Sequence, residues 1–213
     1  MINVTELLPT PWTSSHQYGD CLIIPTINLF YVNIPKNSSS WCKKYLTLCS
    51  KESSWHGAGG HTIINVDQSV YENIIVLRHP RQRWLSQRPF CDKVIAGISL
   101  KEINQFAIDM LDVIKDEHAA PQVSFIRGVD VSKTTWFECG SGLANNMYRF
   151  FEDKFNCTTR LDGRENQSND TQEYEDYRRA WKELYKNPTI KKVWDYIYQD
   201  DLDLYKNVNF YIR

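Results

Sequence analysis

"NLFYVNIPKNSSSW", residues 28–41, decides how the rest of the chain is read. The run from Asn28 to Ile34 is short, aromatic and β-branched, which marks a buried strand. Pro35 ends it, because proline has no N–H to give to a sheet ladder. Serines 38 to 40 then stand where a helix begins, and that helix is expected to run to about Leu48. Strand, polar loop and helix start make the basic unit of an α/β fold, and open α/β sheets bind ligands beyond the carboxyl ends of their strands. The loop itself has two readings. It is either a solvated turn closed by a serine cap or a cradle in which helix-start N–H groups, hydroxyls and Lys36 hold an anion.

The same unit repeats along the chain. "HTIINV" (61–66) and "NIIVLR" (73–78) are nearly continuous apolar strands of the kind found inside parallel sheets, and a glycine-rich loop (50–61) precedes them. Pro80 suits the first turn of a helix over 80–88. Residues 99–116 place apolar side chains at 100, 103, 106, 107, 110, 111 and 114, the stripe of an amphipathic helix. "DEHAAPQVSFI" reads as a turn leading into a strand, "TTWFEC" (134–139) as another strand, and "GLANNMYRFFEDKF" as a helix. A polar loop follows from Thr158 to about Thr171. The C-terminal part, 172–213, reads as two helices broken near Asn187-Pro188, and residues 1–25 as an irregular N-terminal segment. Strands alternating with helices predict one α/β domain over 1–213 with a central, mainly parallel sheet.

With 213 residues, 42% hydrophobic and 13% aromatic, the chain can fill one sizeable core. The formal net charge is −1, so no global field draws it to nucleic acid or anionic lipid, and neither is an expected partner. No apolar run approaches the ~20 residues that span a bilayer, and the first residues lack a basic segment followed by an apolar one. The expectation is a soluble cytoplasmic protein, in the host cytoplasm if the source is viral. The six cysteines form no C-x-x-C pair and are read as reduced thiols. Cys42 and Cys49, seven apart on one helix, would lie too far apart to bridge.

Pro35-Lys36-Asn37-Ser38-Ser39-Ser40-Trp41 lacks both glycines of a Walker loop, and its lysine opens the loop instead of closing it. It resembles the 5′-phosphosulfate loop of sulfotransferases, close to P-K-[ST]-[GA]-[ST]-[ST]-[WSF]. A second match is "IIVLRHPRQRWLSQ". It places Arg78 at a strand end and Ser86 eight residues on, the spacing with which that family holds the donor's 3′-phosphate. "DEHAAPQ" (116–122) is similar to the D-x-H-x-x-P-Q stretch of the carbohydrate-sulfotransferase-like branch, which includes small bacterial and viral members. "ENQSND" (165–170) before tyrosine-rich helices is a weaker likeness. The resemblance implies a P-loop NTPase-like three-layer fold and a donor, 3′-phosphoadenosine-5′-phosphosulfate, released as 3′-phosphoadenosine-5′-phosphate.

On that resemblance Lys36 neutralises the leaving phosphate, while Ser38, Ser39 and Ser40 with their N–H groups grip the phosphosulfate. Asn37 stands where threonine or serine is common, and Ser38 where glycine or alanine is usual; positive φ there would strain a serine. Trp41 either stacks on adenine or packs in the core. Arg81, Arg83 and Arg88 are read as a solvated basic face. Arg164, Asn166 and Ser168 either close over the donor or belong to a solvated loop. A general base is needed for the acceptor hydroxyl, and His118 is the first choice, with His61 and His56 as alternatives. Lysine and arginine supply the positive charge, so no metal is expected. The expected acceptor is a carbohydrate or small molecule. Two alternatives remain open: a P-loop-fold small-molecule kinase and a non-catalytic nucleotide or polyanion binder.

Overall fold

The computed structural model describes residues 20–50, 54–56, 67–86, 110, 114, 117–126, 129–161 and 172–212. Its centre is a five-stranded sheet of β1 (Asp20–Ile24), β2 (Leu29–Asn33), β3 (Ser54–His56), β4 (Glu72–Leu77) and β5 (Thr134–Glu138). The strand order is β3-β1-β2-β4-β5. β1 pairs antiparallel with both β2 and β3, whereas β2–β4 and β4–β5 are parallel. Among the described strands, four therefore share one direction and β1 alone opposes them. β2 lies in the middle with all five residues buried, as its unbroken apolar run requires.

Side chains alternate across this sheet with the period of two that strands impose. On one face Leu22, Ile24, Tyr31, Ile74, Val76 and Phe137 pack against α1 (Ser39–Cys49) and α3 (Leu143–Phe155). On the other, Cys21, Ile23, Phe30, Val32, Ile75, Leu77 and Trp136 meet Ala120, Phe125 and the apolar side of α6 (Gln199–Asn207). A third cluster joins Trp84 of α2 (Pro80–Leu85) to Trp181 of α4 (Gln172–Leu184) and to Ile190, Val193 and Trp194 of α5 (Pro188–Ile197). The result is a mixed α/β fold with a mostly parallel sheet flanked by helices. No helix among the described residues is long and apolar enough to cross a membrane.

Several expectations change. Residues 20–24 are not irregular; they form β1, zipped to β2 through Asp20–Asn33 to Ile24–Leu29. Within the expected glycine-rich loop, Ser54–His56 forms a short edge strand against β1. The expected strand after "DEHAAP" is instead a 3₁₀ turn over Gln122–Ser124. The Asp201 carboxylate takes the N–H groups of Gln122 and Val123 at 2.8 and 2.9 Å, so those donors cannot enter a sheet ladder. α2 stops at Leu85, with Ser86 closing it, short of the expected 88. The C-terminal region holds three helices, since a second break at Tyr198 follows the one at Asn187-Pro188. The expected strand 61–66 lies outside the described residues, as does most of the expected helix 99–116, of which Met110 and Ile114 are buried in the third cluster.

Candidate anion site at the carboxyl edge of the sheet

β2, β4 and β5 end at the same edge, so the segments that follow them are neighbours. The β2–α1 loop has an unusual backbone. Lys36 has φ 68° and Ser38 has φ 61° and ψ 28°, both left-handed, although neither is glycine. Each such residue is strained by about 1–2 kcal/mol. Ser38 occupies the cap position of α1 but makes no side-chain cap hydrogen bond. An ordinary serine cap has an extended backbone and an oxygen accepting an N–H of the first turn. The serine-capped turn is therefore not what this loop is.

Four consecutive residues, 35–38, are instead held from outside, each by a different group. Arg83 Nε donates to the Pro35 carbonyl at 3.0 Å. Arg78 Nη1 donates to the Lys36 carbonyl at 3.0 Å. Asn37, fully buried, donates through Nδ2 to the Val76 carbonyl at 2.8 Å and to Gln122 Oε1 at 2.6 Å. Ser38 Oγ lies 3.2 Å from Cys139 Sγ at the end of β5. A trans peptide whose carbonyl is drawn toward Arg83 turns the next N–H, that of Lys36, to the opposite side. Alternating backbone hand is also the geometry that gathers N–H groups into an anion-binding nest. Behind the loop, α1 leaves its first N–H groups outside its own ladder, at the positive end of the helix dipole.

Arg83 was expected on a solvated face and is buried, with 1% exposure. Its three nitrogens reach three carbonyls, those of Pro35, Ala120 at 2.6 Å and Glu117 at 3.0 Å. Arginine's rigid fork is suited to such multiple donation. One guanidinium thus ties the β2–α1 loop to the turn that carries His118, whose other flank is held by Tyr198 Oη on the Ala119 carbonyl at 2.6 Å. Arg81 does keep to the surface, beside Asp195 and over the Tyr185 ring, and Arg88 lies outside the described residues.

Gln122 is the second tie. Its Oε1 accepts the Arg78 N–H at 3.1 Å as well as the Asn37 amide, and its Nε2 donates to the Arg78 carbonyl at 2.9 Å. Asp201 in turn holds the backbone of Gln122, and burial raises its pKa to about 6. The two backbone N–H groups and the Arg83 charge pull the other way without cancelling that rise.

Ser86 and Arg78 are both engaged with the protein: Ser86 Oγ donates to the Arg83 carbonyl at 2.6 Å, so it must turn to donate to a phosphate. Trp41 is 9% exposed, stacked on Tyr45 at 5.3 Å and tilted against Tyr148, which leaves little ring face for an adenine. Ser39 is half-buried and Ser40 exposed in the first turn of α1. His79 caps α2, its Nδ1 accepting the Arg81 N–H at 3.3 Å; burial, then the Arg81 charge, lowers its pKa. His56 ends β3 opposite Cys21, on the far side of β1 from β2. His61, Arg164, Asn166 and Ser168 lie outside the described residues.

Arg83, Asp201 and Cys139, which frame the Lys36–Ser38 loop and the Gln122 turn, are not among the candidates read from the sequence. Asp201 had a signal: it is an acidic residue on the apolar stripe that runs through Trp194, Ile197, Leu204 and Val208. Compared with family models, curated proteins and solved structures, the chain matches none.

Proposed function

We propose that the protein is a sulfotransferase with a P-loop NTPase-like three-layer fold. It would move a sulfuryl group from 3′-phosphoadenosine-5′-phosphosulfate to a hydroxyl of a carbohydrate or small molecule. The observation that carries this reading is the loop at Lys36–Ser38: left-handed twice, uncapped, and anchored at four consecutive residues. A chain that needed only a turn would not hold that strain, whereas a preorganised cradle for a phosphosulfate requires a fixed backbone.

In the transfer, a bond forms between the acceptor oxygen and sulfur while the bond from sulfur to the bridging oxygen breaks. The electron pair leaves with 3′-phosphoadenosine-5′-phosphate. Lys36 stabilises that developing charge, and the N–H groups at the start of α1 hold the 5′ end with the hydroxyls of Ser39 and Ser40. Ser38 acts through its backbone, its hydroxyl being turned to Cys139. Arg78 and Ser86 take the 3′-phosphate. His118, on the turn fixed by Arg83 and Tyr198, accepts the proton of the acceptor hydroxyl. Asn37 is architectural, its side chain committed to Val76 and Gln122.

Titration calorimetry tests the donor. The wild type binds 3′-phosphoadenosine-5′-phosphate at least about tenfold more tightly than ATP, and Lys36→Ala and Arg78→Ala each weaken that binding by roughly 1–3 kcal/mol. ATP bound as tightly, with no preference for a 3′-phosphate, overturns the reading in favour of a kinase.

A further inference from the structure

Outside the site, Cys49 and Cys157 stand 108 residues apart in sequence with their sulfurs 2.8 Å from each other. That separation is only a little above the ~2.05 Å of a disulfide bond. We propose that this pair is an oxidation site, a dithiol that a small-molecule disulfide converts into an intramolecular Cys49–Cys157 disulfide. The inference does not rest on the sulfotransferase reading.

Both sulfurs are carried on fixed backbone. Cys49 is the last residue of α1, whose end is closed by the Ser50 N–H on the Leu46 carbonyl at 3.1 Å. Cys157 follows the left-handed Asn156 that closes α3, and its own N–H bonds the Phe151 carbonyl at 3.1 Å. A bond between them needs a small closing movement and no rearrangement of either helix. The other described cysteines, Cys21, Cys42 and Cys139, are buried, whereas Cys49 and Cys157 are half-exposed and open to a small oxidant. Their acidities are split in the way stepwise exchange uses. Burial pushes Cys49 up to about 12. Burial also opposes ionisation of Cys157, but hydrogen bonds from Cys49 and Thr159 bring its pKa below the ordinary thiol value.

The chemistry balances in two exchanges. The Cys157 thiolate attacks one sulfur of the oxidant RS–SR, forming a mixed disulfide and expelling RS⁻, which takes up the thiol proton. Cys49 sulfur then attacks Cys157 sulfur, expelling the second RS⁻, which leaves as RSH with the Cys49 proton. The two cysteines are oxidised together and one disulfide oxidant is reduced to two thiols. The new bond joins the ends of α1 and α3 and closes a long loop, which stabilises the chain by constraining its unfolded state.

The test uses the full native chain incubated with oxidised glutathione, then unfolded in urea and alkylated, digested without reduction and mapped by mass spectrometry. A Cys49–Cys157 cross-linked peptide is expected, with the other four of six cysteines alkylated and both thiols recovered by dithiothreitol. The oxidised protein melts roughly 5 °C or more above the reduced one. In Cys49→Ser, Cys157 stops at the mixed disulfide with glutathione. Full alkylation of both cysteines in the wild type, a glutathione adduct that goes no further, or a cross-link between any other pair overturns the proposal, and none of these readouts needs a variant to fold.

Discussion

Two loops leave adjacent parallel strands at one edge of the sheet, and they are built in opposite ways. The β4–α2 loop is relaxed: His79 is extended at φ −51° and ψ 126°, its imidazole caps the helix, and Pro80 fills the first turn. The β2–α1 loop has no side-chain cap and two left-handed residues. Passing from strand to helix does not require strain, as the first loop proves. The second is held in its shape by Arg78, Arg83, Gln122 and Cys139, side chains that belong to other parts of the chain. Strain of this kind persists only where the surroundings over-determine it.

Removing the anchors should break the comparison most severely. Arg83→Met leaves the carbonyls of Pro35, Ala120 and Glu117 without their donor in a buried place. Urea denaturation should show a loss of about 3–5 kcal/mol, with bisphosphate binding abolished under conditions where the variant is still folded. A loss under 1 kcal/mol would mean that the buried guanidinium does not hold the edge together.

Asp201 gives an effect of similar size that depends on pH. Its pKa is about 6 when folded against 3.8 for the ordinary group, so between those values the folded state binds the extra proton. The contribution of Asp201 to stability is therefore full below about pH 4, falls as pH rises through about 6, and is flat beyond. Across that window the wild type should lose on the order of 3 kcal/mol relative to Asp201→Asn, which has no proton to give up. Parallel stability–pH curves for the two proteins would contradict this. Such a fall would reach the site through Gln122, whose backbone Asp201 holds.

The smallest effects separate the two loops themselves. Ser38→Gly relieves a left-handed residue and should stabilise the protein by about 1 kcal/mol in thermal melts. His79→Ala, in the relaxed loop, removes a cap and should destabilise by about 1 kcal/mol. Effects of the same sign at both positions would show that the loops do not differ in kind.

The difference between the loops was half legible beforehand. β2, β4, β5, α1 and α3 stand close to where apolar runs and periodicity place them, because their burial is set by neighbours in sequence. Residue 38 stands where the sulfotransferase loop that this stretch resembles usually has glycine or alanine, and the structure has a left-handed serine there. What could not be read depends on partners far along the chain. Arg83 looks like a surface charge until the carbonyls of residues 35, 117 and 120 converge on it. Val123, Phe125 and Ile126 favour a strand, but a carboxylate 79 residues from Gln122 takes the N–H that a ladder would use. β1 is only five residues long, and pairing with β2 and β3 makes it a strand.

The proposed function requires the two loops to hold opposite ends of one nucleotide. Backbone amide shifts of isotope-labelled protein, followed on titration, test it most directly. 3′-Phosphoadenosine-5′-phosphate should shift amides in both 36–41 and 78–86, whereas adenosine 5′-monophosphate should shift those of 36–41 alone. The same set of shifts from both nucleotides, or shifts confined to other parts of the molecule, would contradict the account.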